Sequence, residues 1–173
     1  MKRFFVMGAA CALVCAATSA QAQRLDERLE KESQFSVRAG AFLPFEDVLT
    51  DVADVWFGAG ADIEIPIHLF QNSVTVFSID WFTHNSGSRD NIFPAMVSQR
   101  WYSGPLGQRT YFQVGIGAAF VDFVPSDTLF AARGGIGMEI NDMAFVEANF
   151  YWTEEDDNGI TASGIAAFVG VRF

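Results

Sequence analysis

The chain has 173 residues, half of them hydrophobic and 14% aromatic, and its 21 acidic side chains outnumber 11 basic ones for a net charge of −10. Such an acidic balance argues against nucleic acid as a partner, because a phosphate backbone is held by clustered lysine and arginine. The length suits one domain.

The chain opens on Lys2 and Arg3, followed by the apolar run FFVMGAACALVCAA and the small-residue triplet Ala20-Gln21-Ala22. A basic start, an apolar centre and an A-x-A site form the pattern of a secretory signal peptide, so residues 1–22 are expected to be removed. The apolar run is about long enough to span a bilayer, but Ala, Gly, Ser and Thr dilute it and the cleavage pattern follows at once. A lipid-anchored cysteine is also disfavoured: Val14 precedes Cys15, where lipoprotein signals resemble a small residue followed by Cys. Cleavage after Ala22 removes both cysteines, Cys11 and Cys15, so packing and backbone pairing must supply the stability of what remains. It also removes two basic residues, leaving nine against 21 acidic ones and a net charge of −12. Residues 23–33 (QRLDERLEKES) are charged, with leucines at 25 and 29, and are expected to form a solvated leader.

From Gln34 onward the hydrophobic period is two. Eight strands are expected, at 34–44, 55–66, 73–84, 91–103, 110–123, 129–140, 143–153 and 160–173. Turn signals fall between them at Asn85-Ser86-Gly87-Ser88, Gly104-Pro105, Pro125-Ser126-Asp127, Asn141-Asp142 and Asn158-Gly159. Of these, Asn-Gly is the strongest hairpin marker. Pro94, near the start of the fourth strand, is poorly tolerated in a central strand and is expected to shift that boundary. No stretch after Ser33 shows a 3.6-residue stripe. The fold class is therefore all-β, an antiparallel up-and-down set of eight strands closing into a barrel.

Alternation alone does not say which side points inward; the chemistry of the two sides does. One side carries Phe35, Phe57, Phe77, Trp81, Phe93, Trp101, Phe112, Phe120, Phe130, Phe150, Trp152 and Phe173. These rings would compete for a centre that eight strands leave wide enough to fill only once. The other side mixes glycine and alanine with isolated charges and almost no lysine, unlike a water-facing sheet. The bulky side is therefore assigned to lipid, making the barrel transmembrane. The ionic residues Arg38, Asp62, Glu64, Asp80, Arg100, Arg133, Glu139, Glu147 and Arg172 are assigned to the interior. Buried singly these charges would be costly, whereas paired and hydrogen-bonded they can share a polar core. They are expected to fill the interior rather than line an ion path, since water-filled pores belong to larger barrels. Trp56, Trp81, Tyr151 and Trp152 near one end, with Trp101, Tyr102, Tyr111, Phe112 and Phe173 near the other, are expected to form two headgroup girdles.

The C-terminal run GIAAFVGVRF alternates up to a final aromatic residue, with Phe173, Val171, Val169, Ala167 and Ile165 at every second position. This ending resembles the terminal signature of bacterial outer-membrane β-barrel proteins, and the signal peptide and eight-strand body are similar to the small eight-stranded members of that family generally. The resemblance implies an outer-membrane location amid lipid and lipopolysaccharide. It also implies that the barrel-assembly machinery reads the last strand through Phe173, Val171 and Val169. With an even strand count both termini lie in the periplasm, so residues 23–33 are a short periplasmic leader to a barrel domain at 34–173. Segments 45–54, 85–90, 124–128 and 154–159 then face outside, while 67–72, 104–109 and 141–142 face the periplasm.

Three smaller constellations stand out against this background. His84-Asn85-Ser86 is similar to the His-x-Ser pair of outer-membrane lipid A deacylases, which would make His84 a base and Ser86 a nucleophile. That family carries its pair toward the end of the chain, however, and here no Glu stands between Ser86 and Glu139. A rim histidine before a Ser-Gly turn is the simpler expectation. Glu154, Asp156 and Asn158 alternate oxygen donors as a calcium loop does, but Ile165 stands where an EF-hand needs its bidentate Glu. An acidic hairpin tip is expected, with no more than weak contact to divalent cations at a lipopolysaccharide surface. His68 has no Cys or second His nearby, so no zinc site is expected.

The expected protein is thus non-enzymatic, monomeric and without a cofactor, contributing to envelope structure or surface interaction. A lipid-modifying envelope enzyme and a soluble periplasmic barrel holding an apolar ligand are the alternatives. An adhesin or receptor would need longer outer loops.

Overall fold

The computed structural model describes residues 34–71, 73–84, 91–122, 127–156 and 159–173. Alternating β-branched and aromatic residues build eight strands: β1 (Gln34–Pro44), β2 (Trp56–Ile65), β3 (Ser73–Thr83), β4 (Asn91–Ser103), β5 (Thr110–Val121), β6 (Asp127–Glu139), β7 (Ala144–Thr153) and β8 (Gly164–Arg172). Each strand pairs antiparallel with its neighbours in chain order, and β8 returns to β1, so the sheet is a closed up-and-down barrel. Closure leaves no strand edge unpaired. Pairing continues just past β8, where Phe173 N donates to Phe35 O at 2.8 Å and the two rings stack with centroids 6.3 Å apart.

The structure departs from the sequence expectations in four places. A short helix, α1 (Asp47–Val52), stands between β1 and β2 and buries Leu49; six residues are too few to show a helical stripe. The last strand starts at Gly164 rather than at residue 160. The residues before it are tied to β7 and to the end of β1: Ala162 N donates to Thr153 Oγ1 (2.7 Å), Thr153 N to Ser163 Oγ (3.0 Å) and Phe45 N to Ser163 O (2.9 Å). Pro94 does not shift the start of β4. It lies within the strand opposite Ala119, and the β3–β4 ladder instead jumps from Ile79↔Ala95 to Phe82↔Ile92, since proline offers no N–H there.

The fourth departure concerns the aromatic girdles. Trp56, Tyr111 and Tyr151 are buried inside the barrel, and Tyr102, the cross-strand partner of Tyr111, shares their inward register. Only Trp81, Trp152, Trp101, Phe112 and Phe173 of the expected girdle residues belong to the outer wall. Strand parity explains the difference: Trp56 is in phase with Gly58 and Asp62, not with Phe57.

That parity sorts the whole molecule. Every charged residue of the eight strands falls in the inward register, while Phe57, Ile79, Ile116, Ile136 and Val169 face out, each more than half exposed. Glycines make the interior possible. A Cβ at Gly60 would run into the Asp80 carboxylate, and one at Gly137 into the Tyr111 ring.

Candidate functional site

The interior has two storeys. Toward the α1 end it is apolar: Phe42, Leu49, Trp56, Phe82, Ile92, Val121, Leu129 and Phe168 pack in one cluster. Phe42 and Phe82 stack at 4.4 Å between centroids, and Tyr151 meets Phe82 edge-on at 5.4 Å. Trp56 Nε1 is satisfied by the Ala53 carbonyl at 3.1 Å. Aromatic rings suit this layer because the facing strands present Gly58 and Ala166, which leave room for them.

Below this layer the side chains are ionic. Arg38 is the hub of the middle: its Nη1 lies 2.7 Å from Asp62 Oδ2 and 2.8 Å from Glu147 Oε1, and its Nη2 lies 2.7 Å from Asp80 Oδ1. Arg100 Nη2 reaches Asp62 Oδ2 at 2.9 Å, and its Nη1 reaches Glu64 Oε1 at 2.5 Å. Arg133 lies 3.5 Å from Asp80 Oδ2 and donates to Ser98 Oγ at 2.7 Å. At the end of the barrel remote from α1, Glu139 accepts from both Arg109 and Arg172, at 2.5 Å each. Five arginines therefore face five carboxylates, and the network is formally neutral. All nine charged residues assigned to the interior from the sequence are among these groups, each no more than 7% exposed.

Neutral donors complete the network. Tyr151 donates to Asp80 Oδ2 (2.8 Å), Tyr111 to Glu147 Oε2 (2.8 Å) and Tyr102 to Glu64 Oε1 (2.5 Å). Gln113 accepts from Arg100 at 2.8 Å and donates to Asn149 Oδ1 at 2.8 Å. Guanidinium groups also lie over rings, Arg109 4.2 Å from the Tyr102 centroid and Arg100 4.6 Å from that of Tyr111. Charges buried this deeply are tolerated because nearly every one is both paired and hydrogen-bonded.

The interior set expected from the sequence lacks Arg109, Tyr102, Tyr111 and Gln113, whereas Asn149 and Tyr151 share the phase of Glu147. Arg109 falls in the expected turn 104–109, yet Arg109, Tyr111 and Gln113 stand at every second position, and the inward phase extended one residue before β5 reaches it. The tyrosines were assigned by height along the strands, where face was the deciding property.

The weaker candidates fall elsewhere. His84 lies at the α1 end, its ring edge-on to Trp56 with centroids 4.6 Å apart. Ser86 is outside the described residues. Glu139 sits at the opposite rim, bound by Arg109 and Arg172, and so cannot orient His84. Glu154 Oε1 accepts from Phe130 N and Asp156 Oδ1 from Ile160 N, both at 2.7 Å, while Asn158 is outside the described residues. Gly159 turns the chain with φ of 77°. Among the described residues no group of three or more His, Cys, Asp or Glu is placed to hold a metal ion.

No protein-family model matches the sequence, and no curated protein matches it either. Solved structures do share its architecture. The crystal structure of Neisserial surface protein A (NspA) has a TM-score of 0.53 to this chain at 9% identity, covering 81% of this chain and 95% of that one. The chain has the fold of the small eight-stranded outer-membrane barrels. The N-terminal β-barrel domain of Pseudomonas aeruginosa OprF is also similar, with a TM-score of 0.45 at 14% identity over 82% of this chain and 100% of that one.

Proposed function

We propose that this protein is an integral outer-membrane barrel with a structural or surface-interaction role, not an enzyme, and that its interior is filled rather than porous. One observation carries the proposal: charge is segregated from the outer wall of every strand and concentrated at the axis. In water such a wall would be a continuous exposed apolar belt, far larger than the patches soluble monomers leave uncovered. Against hydrocarbon the same belt is stabilised, and closure leaves no open strand edge to be satisfied by water. The secretory pattern of residues 1–22 and the eight-stranded outer-membrane fold support the same location.

Filling follows from the two storeys. An ion entering from the α1 end meets stacked rings that offer it no ligands, and one entering from the other end must displace arginines already paired with carboxylates. The interior thus holds the strands in register and blocks leakage. With both termini periplasmic, α1 and the acidic β7–β8 segment face outward, amid lipopolysaccharide. The barrel-assembly machinery would read Phe173, Val171 and Val169, and the chain would act as a monomer without cofactor.

Two measurements test this. Detergent-extracted protein should migrate differently on a gel before and after heating, as a closed barrel does when it unfolds. In a planar bilayer it should give no stable ohmic steps. Extraction into buffer without detergent would remove the membrane assignment; reproducible steps would replace the filled barrel with a pore.

A further inference from the structure

Two polar side chains stand on the outer wall just inside Trp101, where β3 and β4 approach the end of the barrel remote from α1. Thr75 and Gln99 are cross-strand partners in the outward register, yet they are only 3% and 5% exposed. Ser73, outward as well, is 1% exposed. Their cover is the β2–β3 connection, residues 66–71, which folds back over the outside of β3 and β4 rather than projecting from the end of the barrel.

The hydrogen bonds fix it there. Gln99 Nε2 donates to Thr75 Oγ1 at 2.7 Å, and Thr75 Oγ1 donates to Ile67 O at 2.6 Å. Ser73 Oγ lies 2.8 Å from Phe70 O and 2.7 Å from Gln99 Oε1. The His68 ring closes on the Ser73 carbonyl. The Ile67 and Phe70 carbonyls are thus turned to the wall, whereas the apolar side chains of the connection are left out: Ile67, Leu69 and Phe70 are 51%, 64% and 60% exposed. Phe70 also lies 6.0 Å from Trp101, which stacks on Phe112 at 4.7 Å, so its ring extends the aromatic row of the outer wall.

We propose that residues 66–71 form a strap dipping into the periplasmic leaflet of the membrane, with Ile67, Leu69 and Phe70 among phospholipid acyl chains. The occupant is lipid because Ile67, Leu69 and Phe70 continue the apolar wall through Trp101, with no acidic or basic residue other than His68, whose ring is turned to the Ser73 carbonyl. The Ile67 and Phe70 carbonyls are spent on the Thr75 and Ser73 hydroxyls, groups that hydrocarbon would otherwise leave unsatisfied. The proposal rests on the membrane assignment above.

Residues 23–173 contain no cysteine, so nitroxide labels can be placed on Leu69→Cys and, as a reference on the strand wall, Val169→Cys, in vesicles of phosphatidylethanolamine and phosphatidylglycerol. Both labels should be relaxed more by oxygen than by an aqueous nickel chelate. If Val169→Cys reports lipid while Leu69→Cys favours nickel, the strap faces water and the proposal fails alone. Shielding of Leu69→Cys from both reagents would mean a protein contact and would overturn it equally. If Val169→Cys also favours nickel, the membrane assignment itself falls. Should Leu69→Cys not fold by heat-modified migration, Ile67→Cys gives the same readout.

Discussion

Arg38 and Asp80 meet across the barrel from strands that are not neighbours, with Arg38 Nε and Nη2 at 3.0 and 2.7 Å from the same Asp80 oxygen. The same guanidinium holds Asp62 and Glu147, so one cation ties β1 to β2, β3 and β7. Arg38→Met leaves three carboxylates short of a partner and should cost about 3–5 kcal/mol, the usual penalty for breaking a buried pair. Urea unfolding in detergent micelles measures it, and the pair Arg38→Met with Asp80→Asn should cost less than the sum of the two single changes. A loss below about 0.5 kcal/mol, as at a surface position, would mean that the network does not hold the barrel together.

Gly60 and Gly134 differ only in what faces them. An added Cβ at Gly60 runs into the Asp80 carboxylate, while at Gly134 it meets nothing within 4 Å. Gly60→Ala should destabilise by roughly 1–3 kcal/mol through overpacking, and Gly134→Ala should stay within about 0.5 kcal/mol of the parent. Equal effects would argue against the packed interior.

Ile116 lies at mid-wall and is 61% exposed. In lipid vesicles Ile116→Arg should cost about 2–4 kcal/mol, because an arginine there must reach the interface. Val55→Arg, at the α1 end, should cost about 0–1 kcal/mol. A soluble barrel would accept both changes at little cost.

Incubated with lipid A or phospholipid in mixed micelles, the protein should release no fatty acid, and His84→Ala should behave identically. Release that His84→Ala abolishes would restore the enzyme assignment, with His84 as its base.

Much of this architecture is legible in the sequence because period two and a closed barrel constrain each other. Glu64 could be placed inside as soon as Ile63 and Ile65 were placed outside. Legibility failed where local pattern and tertiary contact part company. Trp56 looks like a girdle residue by composition, and only its phase with Gly58 sends it inward. Val48, Leu49 and Val52 are all apolar within α1, and only the tertiary fold decides that Leu49 is the one buried. Thr75 and Gln99 break the outer-wall pattern, and nothing local reveals that a connection folds over them. The pairings within the ionic core, such as Arg38 with Asp80, depend on strands that are distant in sequence, which alternation cannot specify.

The most direct test compares two adjacent residues of β3, Ser78, which is buried, and Ile79, which is 56% exposed. In vesicles a nitroxide on Ile79→Cys should be relaxed by lipid-dissolved oxygen, and Ser78→Cys should resist a water-soluble maleimide until the protein is unfolded. If instead the label at Ile79→Cys is shielded from oxygen and Ser78→Cys is modified on the folded barrel, the wall is inverted and the membrane assignment is wrong.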